Sequence, residues 1–509
     1  MRPELIQTRI DKIARLRELG VEPYPYRFDR THTAAEVLEG FEGREASGET
    51  VAVAGRILAL RPMGKAAFAH IQDSGQKIQL YFKKDDVGED AYKVFKLLDL
   101  GDIIGVRGTC IRTRTGEPSI AVQSFDLLSK SIRPLPVVKE KEGQVFDAWQ
   151  DTGERYRRRY LDLVLNPETR RVFQARADVI RTLRESLDSR RFLEVETPVL
   201  QAIYGGAMAR PFMTHHNALD MPFFLRIALE LPLKKLLVGG FDRVYELSRV
   251  FRNEGMDRSH NPEFTMLEFY WAYADYNEAM DLVETMFRES LAKARGSLQF
   301  EWNGHALDFE APFARKRMVD LIQEQTGLDV LNDPEDALRA KLKERGVKIP
   351  EFAERGHLIE ELFDEFVEET LIQPTFVTDH PRAISPLAKV HRKDKEQLVE
   401  RYELFICGME FANAFSELND PIDQRQRFED QAALREKGDD EAQVLDEDFL
   451  QSVEYGMPPA AGVGIGVDRL VMIAADGYSL RDVLLFPHMR PEEGRAGDDE
   501  EGEAAEEGE

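Results

Sequence analysis

The stretch Val250-Phe251-Arg252-Asn253-Glu254-Gly255-Met256-Asp257-Arg258-Ser259-His260-Asn261-Pro262-Glu263-Phe264-Thr265-Met266-Leu267-Glu268-Phe269-Tyr270 reads as strand, loop, strand. By strand alternation Arg252 and Glu254 share one face, and Glu268 and Tyr270 share a face. An arginine, two carboxylates and a phenol on paired strands fit either a solvated sheet face or a binding site. The flanking Phe251, Phe264, Met266 and Trp271 favour burial, and with it the site.

A second segment has the same double character. In Gly462-Val463-Gly464-Ile465-Gly466-Val467-Asp468-Arg469 the glycines alternate, which keeps one strand face flat enough for a planar ligand to lie on the backbone. A helix opening at Asp468-Arg469 would aim a guanidinium at that ligand. No dinucleotide-binding βαβ spacing follows these glycines. Gly64-Lys65 likewise lacks the upstream glycine spacing of a phosphate-binding loop.

Working outward, residues 2–20 read as an amphipathic helix stopped by Gly20. Five β-type runs follow, at 51–60, 66–73, 77–82, 103–111 and 119–128, with a helical stretch near 92–98 between the third and fourth. That order predicts a small Greek-key barrel of the OB type, with or without a ligand. Pro134 and Pro136 open a linker that carries the basic aromatic cluster Arg155-Tyr156-Arg157-Arg158-Arg159-Tyr160. A long helix is expected over 172–190, strand-like segments through 310, mostly helix over 313–371, and strands again over 375–473.

The chain has 509 residues and a formal net charge of −26. Residues 1–146 carry 23 Lys and Arg against 21 Asp and Glu, whereas the last nineteen residues carry ten acids and one arginine. The first domain is therefore free to meet a polyanion although the whole chain is acidic. No apolar run approaches the ~18 residues of a membrane span. The N-terminus has no apolar leader segment, so a cytoplasmic protein is expected. Two cysteines, Cys110 and Cys407, leave any metal to carboxylates or histidines.

The quoted segments also carry a resemblance. Phe251-Arg252-Asn253-Glu254 with its loop resembles motif 2 of the class II aminoacyl-tRNA synthetases, Gly464–Arg469 resembles motif 3, and Val195-Glu196-Thr197-Pro198 resembles the end of motif 1. The pattern resembles the Asp/Asn/Lys subclass. Within it, Arg210–Asn217, Gly239-Gly240-Phe241 and Asn413–Asp420 are similar to the bacterial-type lysyl-tRNA synthetases, over essentially residues 1–490. In Leu229-Glu230-Leu231-Pro232 the glutamate matches, but Leu229 and Pro232 stand where the family pattern has proline and tyrosine.

The resemblance implies an α+β protein. An N-terminal helix and OB-type β-barrel that binds the anticodon would occupy 1–146, and a linker 147–171. A class II catalytic domain, an antiparallel sheet flanked by helices, would occupy 172–490, with a helical insertion at about 313–371. A disordered acidic tail would fill 491–509. It implies ATP-dependent activation of L-lysine and its transfer to tRNA(Lys), by a homodimer formed through motif 1. Arg252, Arg469 and Glu254 would be catalytic. Lysine would meet Gly206, Glu230, Arg252, Glu268, Tyr270, Asn413, Phe415 and Glu417. ATP would meet Arg252, Glu254, His260, Asn261, Phe264, Glu403 and Arg469. Glu403 and Glu410 would hold Mg²⁺, with about three ions in the full site. Phe68, Gln79, Glu117 and Arg61 would face the anticodon.

Two of these assignments meet a difficulty in the residues. Glu410 has the opposite strand parity from Asn413, Phe415 and Glu417, so a bulge or turn has to re-aim it. Phe68 by itself reads equally as a barrel-core aromatic. Three rival functions are also weighed. A relative that loads lysine onto a protein would lack the barrel at 51–128. A silent RNA-binding module would not need Arg252, Glu254, Asp468 and Arg469. An aspartyl or asparaginyl enzyme would need the opposite pocket charge.

Overall fold

The computed structural model describes residues 3–136, 139–141, 144–146, 149–350, 353–437 and 444–491. The acidic tail expected to be disordered falls on 492–509, outside the described residues. Two compact units divide at Arg170/Arg171.

In the first unit, the helix Pro3–Glu18 precedes five strands: β1 (Thr50–Met63), β2 (Ala66–Asp73), β3 (Gln76–Lys83), β4 (Ile103–Arg112) and β5 (Pro118–Ser129). They close into a barrel in the order β1-β2-β3-β5-β4, and the parallel β3–β5 pairing makes the closure. The helix Glu89–Phe95 sits between β3 and β4 in sequence. Alternation in β2 sends Ala67, Ala69 and Ile71 into the barrel core, where Val53, Leu80, Phe82 and Val106 meet them.

The second unit is built on an eight-stranded sheet: β6 (Leu193–Glu194), β7 (Arg243–Phe251), β8 (Glu263–Ala272), β9 (Ala314–Arg317), β10 (Thr375–Thr378), β11 (Arg401–Ile406), β12 (Met409–Ser416) and β13 (Ala460–Gly466). Their order is β9-β10-β11-β12-β13-β8-β7-β6. The six inner strands pair antiparallel, and only the two edge pairs are parallel. Their apolar face packs on the helices Pro167–Ser189, Tyr276–Arg295 and Val467–Ala474, through residues such as Val179, Leu183, Met286, Phe287 and Val471.

Several sequence readings are corrected here. The long helix starts at Pro167, because proline fits a first helical turn, and not at 172. The stretch read as strands through 310 contains the twenty-residue helix Tyr276–Arg295. Its Ala279, Met280, Val283, Met286, Phe287 and Leu291 form the 3.6-residue stripe that reading overlooked. The region 375–473 likewise includes the helices Pro421–Glu436 and Glu447–Glu454. Residues 152–165, within the expected linker, form the helices Thr152–Arg157 and Arg159–Leu165. Buried Asp162 draws in Arg155 and Arg159, at 2.8 and 2.7 Å.

Candidate active site

The polar face of the large sheet opens into a cavity of about 560 Å³. Residues from β8, β11, β12, β13 and the loop after β7 converge on it. Arg252, Glu254, His260, Asn261, Phe264, Glu268, Tyr270, Glu403, Glu410, Asn413, Phe415 and Arg469 all line it, as do Gly206 and Glu230. Glu417 lies directly behind Gly462 and Tyr270, which line it.

Strand alternation places Glu268 and Tyr270 as expected, on one face of β8, and the Tyr270 hydroxyl donates to Glu268 at 3.1 Å. It does not place Arg252 and Glu254. β7 ends at Phe251, so both stand in the loop and reach the cavity by its course and not by parity. The Arg252 N–H donates to the carbonyl of Pro262 at 2.8 Å, which closes that loop. Its guanidinium lies 5.2 Å from the Phe264 ring centre. Burial lowers its pKa while Glu254, Glu410 and Glu268 pull it back, and a guanidinium keeps its proton in any case.

Glu410 is re-aimed by a bulge. Opposite β11, Leu404 pairs with Ala412 and Phe405 with Glu410, so Phe411 is the extra residue. Phe411 and Ala412 both turn into the core, which flips the phase and brings Glu410 to the cavity face of Asn413 and Phe415. Burial and the neighbouring Glu403 raise the Glu410 pKa. Further carboxylates crowd Glu403 from the helix Arg355–Phe366. Burial and the charges of Glu360, Glu368 and Glu403 push Asp364 to about 8. Arg401, which sequence reasoning missed, answers part of this charge with an ion pair to Glu403 at 2.5 Å. Two hard oxygen donors in an excess of negative charge suit Mg²⁺ completed by phosphate oxygens. No three His, Cys, Asp or Glu side chains among the described residues form a ready cage.

The other end of the cavity is a set of buried glutamates. Glu230 begins the helix Glu230–Val238, whose first turn accommodates Pro232 because no intrahelical bond is needed there. Gly206 has φ +86°, and a Cβ on it would stand 3.0 Å from the Glu230 Cβ, so glycine is required on both counts. The Leu229 N–H donates to Glu268 at 2.8 Å, a bond a proline there could not make. Burial first, then the charge of Glu230, raise the Glu268 carboxyl to about 7.

Glu417 lies just past β12 and is fully buried. It sits under Gly462, where a Cβ would stand 1.9 Å from its Oε1 and 2.4 Å from the Tyr270 ring. Gly462 thus gives the carboxylate room, a role beyond flatness. Oε1 has no hydrogen-bond partner among the described residues. Burial and Glu230 raise Glu417 to about 8, although Lys234 opposes them. Lys234 is the largest omission of the sequence reading. It is fully buried, contacts Glu230, and lies 2.5 Å from the Glu417 carboxylate. The signal was present as a Glu–Lys pair four residues apart on one helix.

In the loop after β7, His260 pairs its Nδ1 with Asp257 at 2.9 Å. Partial burial works against ionisation of Asp257, but the His260 ring and the N–H groups of Ser259 and His260 hold it at about 2. Asn261 donates to the carbonyl of Glu263. Asp468 accepts from Arg176 at 2.6 Å and from the Thr265 N–H at 2.8 Å, which locks the helix start to β8. Arg469 donates to the carbonyl of Glu410 at 2.5 Å.

On the barrel, Phe68 faces outward and stacks on Tyr81, ring centres 4.9 Å apart, so it is not a core residue. Arg61 pairs across from Phe68, and His70 from Gln79. Gln79 donates to Glu117 at 2.6 Å and accepts from Ser119 at 2.7 Å. The other Glu117 oxygen meets His70 at 2.8 Å, a neighbour the sequence reading did not name.

Residues 151–490 match the family of class II tRNA synthetases (D, K and N), and residues 51–128 match the OB-fold nucleic acid binding domain. The chain is 52% identical over 490 residues to the lysine–tRNA ligase of Carboxydothermus hydrogenoformans, covering 96% of this chain and 98% of that one. It is 52% identical over 492 residues to that of Moorella thermoacetica, and 50% over 493 to that of Oceanobacillus iheyensis, with the same coverage.

Proposed function

The chain belongs to the class II tRNA synthetases of the D, K and N group, and we infer that it is a lysine–tRNA ligase. It activates L-lysine with ATP to lysyl-adenylate and transfers the lysyl group to tRNA(Lys). The observation that carries the choice of amino acid is the buried trio Glu230, Glu268 and Glu417. A dry pocket rich in carboxylates suits a substrate with an ammonium at both ends and repels an aspartate side chain. A relative that loads lysine onto protein would not need the barrel of residues 51–128.

Activation is in-line attack of the lysine carboxylate on the α-phosphorus of ATP. The nucleophile is already ionised, so positioning and charge neutralisation do the work. Arg252 bridges the lysine carboxylate and the α-phosphate with its planar fork, and Glu254 steadies the nucleotide from the same loop. Arg469 takes the γ-phosphate and one adenine face, Phe264 the other, with His260 and Asn261 beside the phosphates. Glu230 and the Gly206 backbone take the α-amino group. Glu417 and Tyr270 take the ε-ammonium, with Glu268 alongside and Asn413 and Phe415 as walls. Glu403 and Glu410 would hold Mg²⁺, which on binding neutralises phosphate charge. Phe68 stacks an anticodon base, and Gln79, Glu117 and Arg61 read or steady its edge. The enzyme works as a homodimer through motif 1, in the cytoplasm where tRNA is charged.

Amino-acid-dependent exchange of pyrophosphate into ATP, run with each standard amino acid, tests this reading. Lysine alone should support rapid exchange. Preference for aspartate, asparagine or a neutral amino acid would refute it.

A further inference from the structure

Lys234 is a cation in direct contact with two of the glutamates at the amino-acid end, and no step above uses it. Its ammonium bridges Glu230 on its own helix and Glu417 beyond β12, and it is fully shielded from water. The rings of Phe415 and Phe449 stand 5.3 and 5.9 Å away and exclude solvent from the pair. Burial lowers the Lys234 pKa, but Glu230 and Glu417 together outweigh it and the net direction is up, so the ammonium keeps its charge. The other charged or titratable groups that bear on the two glutamates are Glu268 and Tyr270 of β8 and Arg401 of β11, and Arg252 after β7 bears on Glu268.

Two carboxylates, Glu230 and Glu417, share the single ammonium of Lys234. With both ionised, this contact triad carries one net negative charge. Free lysine carries one net positive charge. We propose that Lys234 is a built-in counter-cation that holds the Glu230–Lys234–Glu417 triad one charge short of neutral when both glutamates are ionised, so that it takes an amino acid of net charge plus one. The proposal rests on the lysine reading above. Lys234 touches no substrate in it and is a positioning residue that acts through Glu230 and Glu417. Removing its charge leaves two buried carboxylates facing each other, and such a pair holds a proton to higher pH. A protonated Glu417 is a poor partner for an ammonium.

The test is the pH profile of kcat/KM for lysine in pyrophosphate exchange, on the full-length enzyme. For Lys234→Met the acid limb should move up by about one pH unit, with about a tenfold loss near neutrality and recovery at alkaline pH. The KM for ATP should stay within about twofold. The charge count also demands a change of sign. Glu417→Gln leaves the triad neutral, so adding Lys234→Met to it restores one negative charge, on Glu230. It should raise lysine kcat/KM several-fold over Glu417→Gln alone. A purely structural lysine would lower activity in both backgrounds. An unmoved acid limb, a tighter lysine KM in Lys234→Met, or further loss in the double variant overturns the proposal. If Lys234→Met does not fold, the comparison within the Glu417→Gln background decides, since that double variant leaves one buried carboxylate, Glu230, and not two facing each other. Native enzyme that does not use lysine would refute the underlying reading. Native lysine-dependent exchange with unshifted variants would refute the role of Lys234 alone.

Discussion

The cavity of the second unit and the outer face of the barrel are built on opposite physics. At the glutamate end of the cavity, Glu230, Glu268, Glu417 and Lys234 are ionisable groups taken out of water, and burial is the largest influence on each. On the barrel, Phe68, Tyr81, His70 and Arg61 keep contact with solvent, and the apolar ring stack is the main feature. Desolvated charge makes a wrong partner very costly, because an unmatched ion is left in a dry site. A solvated stacking face offers ~1–3 kcal/mol per base and tolerates substitution. The first design suits a choice made once among small molecules. The second suits a choice spread over several nucleotides.

If that contrast holds, the largest loss comes from Arg252→Lys. Replacing the bidentate fork with a point charge should cut lysine-dependent pyrophosphate exchange by orders of magnitude while the melting temperature stays near native. Exchange near the native rate would break the assignment of the cavity.

Glu417→Gln comes next. It should cost on the order of 2–4 kcal/mol in lysine kcat/KM and leave ATP almost untouched. Its deficit should widen as pH rises through about 8, where the native carboxyl ionises. A loss confined to ATP would move Glu417 to the nucleotide side.

The barrel should show the smaller, separable effect. Phe68→Ala and Gln79→Ala should lower charging of tRNA by ~1–3 kcal/mol each and spare pyrophosphate exchange. Because Phe68 faces outward, Phe68→Ala should not open a core cavity, and its melt should shift little. Equal losses in both assays would erase the distinction between the two ends.

The smallest effect is on stability. Glu268 and Glu417 have folded pKa values raised to about 7 and about 8, so the folded state binds more protons than the unfolded chain above pH ~5. The ligand-free enzyme should therefore lose stability as pH rises from about 5 through about 8, and saturating lysine should flatten the slope. A melting temperature that rises across this window would contradict the burial of ionisable acids here.

Much of this arrangement was legible before any coordinates, for identifiable reasons. The five barrel strands follow alternation and turn residues, which are local signals. The need for a bulge or turn was legible too, since Glu410 could reach Asn413 and Phe415 only by breaking phase, but its place at Phe411 was not. What stayed hidden depends on tertiary context. Nothing local ends β7 at Phe251, so parity misplaced Arg252 and Glu254. Lys234 reads as one more solvated cation until the fold brings Glu417 over it. The space under Gly462 shows only when β12 and β13 lie side by side.

The most direct measurement compares lysine with norleucine, a near-isostere without the ε-ammonium, in pyrophosphate exchange by native enzyme and by Glu417→Gln. A pocket that chooses by buried charge should favour lysine by about a thousandfold or more, and Glu417→Gln should shrink that ratio at least tenfold. Norleucine accepted within tenfold of lysine by native enzyme, or a ratio unchanged in Glu417→Gln, would contradict the account.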